Sequence, residues 1–348
     1  MKIGIIAHND HPIFEPFQGG LEMFTSLLVN ELVKRDYEVY TLCNRGSQLS
    51  GEMVFYTELD QNLNDDPVDS ELNKFGEFYS SINTFLAINF DVIHNHSISH
   101  HAIVLGSVID IPFVTSFHCP IFDNIYVAIN AIKNRPNQIF TTVSNHLKVD
   151  FQKHLLNVRT VYNGIDLNAW EIYAPKEDYF SWCGRICKEK GLMEIMDLCH
   201  VNNLNLKIAG PISDRSYFEE FITPRLEKYD HCEYLGHLNQ KQVNQLYAQS
   251  KAFLFSSIWQ EPYGMVIAEA LASGTPVIAN DIGAASEIIT DDCGILFDIN
   301  KPETFVRAIA GLNTLDRVNC RERAENFCSH LRMVDAYEQI YIEIASEK

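Results

Sequence analysis

Positive charge is scarce in this sequence: 27 lysines and arginines face 46 aspartates and glutamates over 348 residues, a formal net charge of −19. That balance argues against a general nucleic-acid binder and weakens docking on anionic lipid, while leaving peripheral membrane contact open. Long apolar runs are missing too. The stretch 3–7 is too short for a signal-peptide core, and no transmembrane segment of roughly 20 apolar residues is read anywhere. The nine cysteines are odd in number and scattered without a Cys-x-x-Cys, which excludes a disulfide scaffold and fits reduced thiols in a cytoplasmic protein. Low-complexity linkers are absent as well. What remains is an ordinary globular chain whose length suggests two domains.

What is there is alternation. Short apolar runs at 3–7, 39–42, 92–94, 113–116 and 140–143 read as strands, with helical patterns at 21–34, 70–88 and 122–133 between them. A second series places strands at 179–183, 206–209, 232–235, 252–255, 276–279 and 294–297. Its helices are expected at 191–199, 216–227, 240–250, 264–273 and 302–312. Alternation of this kind is the mark of α/β proteins with parallel sheets covered by helices. The expected architecture is two Rossmann-like, doubly wound domains facing across a cleft. They are residues 1–165 and 166–316, with a helical segment 317–348 packing back on the first domain.

Three segments carry chemistry. The first runs from Glu261-Pro262-Tyr263-Gly264-Met265-Val266 through Glu269 to Gly274-Thr275-Pro276. It reads as a loop, a helix and a strand, with Pro262 suiting the start and Gly274 with Pro276 the end. Gly264 leaves backbone N–H groups open to an anion at the positive end of the helix dipole. Glu269 lies eight residues beyond Glu261, about 12 Å along an ideal helix axis. Two carboxylates so spaced cannot share one bond, but they can hold two ends of an elongated ligand. An acidic cap and a solvated helix glutamate explain them equally well. The second segment, Gly184-Arg185 to Lys190-Gly191, sets an Arg fork and a Lys point charge in an acidic chain, a fitting clamp for a diphosphate. Taken alone it reads more simply as solvated surface charge. The third, Gln18-Gly19-Gly20-Leu21-Glu22, permits close backbone approach at a helix N-terminus and lacks the spacing of a Rossmann or Walker loop.

Together with Val114-Thr115-Ser116-Phe117-His118 and Asn163-Gly164-Ile165-Asp166, these segments resemble, in order and spacing, the retaining glycosyltransferase family 4 with the GT-B fold. The resemblance implies that Arg185 and Lys190 meet the donor diphosphate and that Glu269 holds the ribose hydroxyls. It implies that Glu261 contacts the transferred sugar, with the backbone of Tyr263, Gly264, Met265 and Val266 along its hydroxyls and phosphate. Gly19 and Gly20 would approach the donor phosphate, and His118 would hydrogen-bond the donor sugar near the reacting centre. The catalytic pair is thus Glu261 and His118. The implied activity is transfer of a hexose-type sugar from a nucleotide sugar, a UDP-sugar in most of the family, to a hydroxyl on a carbohydrate or small molecule.

No Asp-x-Asp occurs, so the carboxylate signature of metal-dependent sugar transferases is missing, and no metal and no cofactor beyond the nucleotide sugar is expected. The run His94-Asn95-His96-Ser97-Ile98-Ser99-His100-His101 invites a metal reading, but strand-end histidines also line clefts without one. Acceptor contacts are expected from loops 8–18, 46–69 and 119–125. Two other functions suit the same fold, a nucleotide-sugar 2-epimerase and a catalytically silent nucleotide-sugar-binding subunit. The negative charge of the first domain gathers at 52–77, where eight acidic residues face only Lys74.

Overall fold

The computed structural model describes residues 1–17, 19–58, 67–132, 137–172 and 177–346, without the side chains of 67–71. Gln18 of the glycine segment and 59–66 of the acidic loop therefore lie outside the described residues. The chain divides into two compact units, Met1–Tyr162 with His330–Lys348, and Asn163–Ser329.

The first unit is built on β1 (Lys2–Ile6), β2 (Glu38–Cys43), β3 (Glu52–Phe55), β4 (Val92–Asn95), β5 (Phe113–Phe117), β6 (Gln138–Thr142) and β7 (Val158–Thr160). The second is built on β8 (Phe180–Cys183), β9 (Leu206–Ala209), β10 (Cys232–Tyr234), β11 (Phe253–Phe255), β12 (Val277–Asn280) and β13 (Gly294–Phe297). Every ladder is parallel. The strand orders are β3-β2-β1-β4-β5-β6-β7 and β10-β9-β8-β11-β12-β13, each reversing direction once, as in doubly wound Rossmann folds. The central strands are apolar and buried on both faces, which is why their short Val/Ile/Leu/Phe runs stand out in the sequence.

Expectation and structure part at the edges. β3 and β7 were not expected: both are partly exposed edge strands, Met53-Val54-Phe55 being a short apolar run and Val158-Arg159-Thr160 holding one apolar residue. Helices His100–Val108 and Asn145–Phe151 were likewise missed; each is short and offers little periodicity. The helix expected at 216–227 is a short turn Arg215–Tyr217, a π-helical stretch Phe218–Ile222 and a helix Thr223–Lys228. Pro224 lacks an N–H and cannot continue the regular ladder, and Thr223 Oγ1 instead reaches the Phe218 carbonyl at 3.2 Å.

Residues 317–344, read as one helical stretch, are two helices. Arg317–Phe327 stays with the second unit, whereas His330–Ser346 belongs to the first. Between them the Cys328 carbonyl accepts the Ile165 N–H at 2.8 Å, which ends the first helix. In His330–Ser346, Met333, Val334, Tyr337, Ile340, Tyr341 and Ile344 form one helical stripe buried against Phe24, Leu28 and Leu32 of the helix Gly20–Lys34. No helix among the described residues is long and apolar enough to cross a membrane.

Two tyrosines of that stripe carry hydroxyls into the core, and both find partners. Tyr341 Oη lies 2.5 Å from His94 Nδ1, and His94 Nε2 lies 2.6 Å from Ser116 Oγ. Ser116 Oγ also meets Thr141 Oγ1 at 2.6 Å and Tyr337 Oη at 3.0 Å. A closed network of this kind is costly to interrupt, because the group left behind is buried. Tyr341→Phe should therefore destabilise the first unit by about 1–3 kcal/mol, through the stranded His94 nitrogen, as read by urea unfolding. An unchanged midpoint would show that the network contributes no net stability.

Candidate active site

In the second unit the sheet reverses between β8 and β11, and the loops leaving these strands open at its carboxyl edge. Ser256 ties them together: its Oγ accepts from Trp182 Nε1 at 2.9 Å and donates to the Lys190 carbonyl at 2.9 Å. Gly191 sits so close that a Cβ would lie 2.0 Å from the Ser256 carbonyl oxygen, and its φ of +65° is left-handed. Only glycine suits both demands. This contact holds the short turn Lys188–Lys190 so that Lys190 Nζ bonds Glu261 Oε1. Ser257 Oγ donates to the same Glu261 oxygen at 3.1 Å. The pair is largely withdrawn from solvent, with side-chain exposures of 21% for Lys190 and 12% for Glu261.

Gly264, at φ +102°, precedes the helix Met265–Ala272, whose first N–H groups have no carbonyl one turn back. Tyr263 is buried, while Met265 and Val266 are half-buried on the opening turn. Glu269, one turn on, faces Tyr247 and Cys183. Burial pushes its carboxyl up to about 7, with the Tyr247 hydroxyl pulling part of the way back. Arg185 is not brought to the Lys190–Glu261 pair: it is 54% exposed and 3.8 Å from Glu189 Oε1.

In the first unit the reversal falls between β1 and β4. His8 follows β1, His96 follows β4 and His118 follows β5, all at the carboxyl edge, and Gly19 and Gly20 open the helix Gly20–Lys34. Sequence reasoning placed His8 only in the expected acceptor loop 8–18 and gave Glu22 no role, yet they form a buried pair. His8 Nδ1 accepts the Asp10 N–H at 3.2 Å, so its proton sits on Nε2, 3.1 Å from Glu22 Oε1. Burial alone would raise the Glu22 carboxyl, but the His8 ring beside it and a backbone N–H outweigh it and the net direction is down. The helix N-terminus assigned to a phosphate thus already carries a carboxylate, whose other oxygen would lie 3.1 Å from a Cβ on Gly19. The signal available was Glu22 itself, three residues after Gly19 in the first helical turn; nothing local predicts His8 as its partner.

His118 is half-buried, with the Phe24 ring 4.6 Å away by centroid and its Nε2 3.5 Å from His96 Nδ1. Burial above all pushes its basicity down to about 3. His94 and His96 are held well below the usual imidazole range, again by burial first. The histidine run therefore splits: His94 turns into the core, His96 toward His118, and His100 and His101 lie on the next helix. Among the described residues no group of three or more His, Cys, Asp or Glu is placed to hold a metal ion.

Comparison with known proteins fits this arrangement. Residues 18–169 match the model of Glycosyltransferase Family 4, and residues 171–327 match that of Glycosyl transferases group 1. Spore coat protein SA of Bacillus subtilis is 24% identical over 374 residues, spanning 94% of this chain and 96% of its own. Among solved structures, sucrose-phosphate synthase from Thermosynechococcus elongatus aligns with a TM-score of 0.82 at 16% identity over 100% of both chains. Anabaena Alr3699/HepE in complex with UDP and glucose aligns with a TM-score of 0.77 at 17% identity, over 99% of this chain and 100% of the other. At such identities the structures speak for the fold, which is GT-B, and the family models speak for descent. This chain belongs to the group 1, family 4 glycosyltransferases.

Proposed function

We propose that the chain is a retaining glycosyltransferase that moves a hexose-type sugar from a UDP-sugar to a hydroxyl acceptor, without a metal, in the cytoplasm. The observation that carries this reading is the Lys190–Glu261 pair beside the N-terminus of the helix Met265–Ala272 at the strand reversal. An ammonium has three N–H donors, so Lys190 can keep Glu261 and still meet a phosphate oxygen. The helix N–H groups of Met265 and Val266 would add fixed positive dipoles where the leaving oxygen gains charge. Support for the donor comes from the Anabaena relative, whose complexes include UDP, glucose and UDP-glucose.

In this reading the bond between the anomeric carbon and the phosphate oxygen breaks, and its electron pair leaves with the nucleoside diphosphate. The acceptor oxygen attacks the same face, and its proton passes to the departing phosphate. Glu261, held by Lys190 and Ser257, positions the sugar and balances developing positive charge; it is not assigned as a nucleophile. Glu269 takes the ribose hydroxyls. His118, neutral, hydrogen-bonds the sugar. Arg185 reaches the diphosphate by leaving Glu189, a small cost for a pair 3.8 Å apart and largely exposed.

Three outcomes test this. In a panel of nucleotide sugars, UDP-sugars should raise the melting temperature most, since ligand at 100 times its Kd adds about 2.7 kcal/mol to the folded state. Protection by none of the panel would overturn the reading. An epimer accumulating without UDP release would make the chain a 2-epimerase. Lys190→Gln and Glu261→Gln should each lower kcat by about 10²–10³ while the far-UV spectrum is kept, and unaltered turnover of either would remove it from the site.

The pH dependence has a definite sign. A carboxyl raised to about 7 is increasingly protonated below that pH, and the neutral form accepts ribose hydroxyls poorly. UDP-sugar affinity should climb from pH 6 to pH 8 and level off above, approaching about tenfold per unit on the acid side. Calorimetry on wild type and Glu269→Gln checks this, the variant being flat. His118, already neutral across that window, adds no limb of its own.

A further inference from the structure

We propose that His96 is a positioning residue that fixes His118 as its Nδ1–H tautomer, so that His118 presents a hydrogen-bond donor to a substrate oxygen. The substrate half rests on the function proposed above; the tautomer half stands on the first unit alone.

His96 has no solvent exposure. Its Nδ1 lies 3.5 Å from His118 Nε2, while its own Nε2 is buried without a hydrogen-bond partner among the described residues. A neutral imidazole carries one proton on one of two nitrogens. A proton on His96 Nε2 would leave a buried N–H unsatisfied, at the full desolvation cost of that group. A proton on Nδ1 finds His118 Nε2 as its acceptor. His118 must then keep Nε2 unprotonated and carry its own proton on Nδ1. Burial holds both rings neutral, so a second proton does not blur the choice.

The His96 ring is not free to reverse its two nitrogens. It lies against His94 with centroids 3.7 Å apart and the planes tilted by 46°, and meets the Phe24 ring at 4.9 Å, while the His96 backbone N–H bonds the Ile6 carbonyl at 2.9 Å. His94 is in turn pinned at both nitrogens by Tyr341 and Ser116. A column of three imidazoles thus runs from the last helix of the chain to the carboxyl edge of the first sheet. At that edge His118 offers an N–H to a hydroxyl or phosphate oxygen. An Nδ1 that already bears its proton cannot accept another, so His118 in this form does not act as a general base.

The test is the tautomer of His118, read from long-range ¹⁵N–¹H correlations on the full ¹⁵N-labelled chain at pH 7.5, with His118→Gln identifying its signals. The wild type should show protonated Nδ1 and unprotonated Nε2. His96→Phe keeps the ring packing but removes the donor, and the Nε2–H form of His118 should appear. His96→Gln, whose amide can donate, should restore the wild-type pattern. In transfer assays with a UDP-sugar, His96→Phe should lower kcat/KM about 10-fold and His96→Gln should recover most of it. An Nε2–H tautomer in the wild type overturns the proposal without any variant, as does an unchanged pattern in folded His96→Phe. If no nucleotide sugar supports transfer, the function proposed above fails, and the wild-type tautomer still decides this inference.

Discussion

Parallel pairing is the constraint on which the rest of this molecule depends. When all strands of a sheet run the same way, every loop leaving a strand's carboxyl end emerges at one edge. Where the winding reverses, two neighbouring loops part and leave backbone groups accessible. The second unit uses that point to bring a lysine from the loop after β8 to a glutamate from the loop after β11, with Ser256 and Gly191 locking the two loops at contact distance. The first unit uses it to gather three strand-end histidines and a glycine-opened helix. Neither arrangement requires sequence neighbours; both follow from topology.

The electrostatics of the two units differ in kind. The second offers fixed positive groups, Lys190 and a helix N-terminus, inside an acidic chain, so an anionic ligand would be met by a local exception to the net charge of −19. Its lysine is balanced by Glu261, so neither charge is buried alone. The first unit offers almost no net charge where it matters. Glu22 is answered by His8, and His94, His96 and His118 are neutral by burial. The helix that Gly19 and Gly20 open is therefore not a free positive terminus.

Much of this was legible in the sequence, and the omissions have physical reasons. Central strands such as Ile3-Gly4-Ile5-Ile6 and Phe253-Leu254-Phe255 are buried on both faces and declare themselves by composition. Edge strands β3 and β7 are wet on one side and look like loops. The segment from Glu261 to Glu269 carried its own turn and helix signals, and the structure adds that Glu261 pairs with Lys190 while Glu269 faces Tyr247. Arg185 shows the opposite: its position was legible but its direction was not, because a long exposed side chain answers to whichever carboxylate is near. The pairing of His8 with Glu22 and of His96 with His118 depends on strand order. No local pattern encodes it.

The return of the chain to the first unit after Ser329 has a consequence for synthesis. The second unit, Asn163–Ser329, is one uninterrupted stretch and can close on the nascent chain as soon as it clears the ribosome. The first unit is begun earlier but waits for His330–Ser346, because Tyr337, Ile340 and Tyr341 fill its core and complete the bonds of His94. The half that is started first is finished last. Until then its sheet carries an uncovered apolar face and an unsatisfied histidine, so the nascent first unit is the part most exposed to chaperones, and the helix His330–Ser346 acts as its latch.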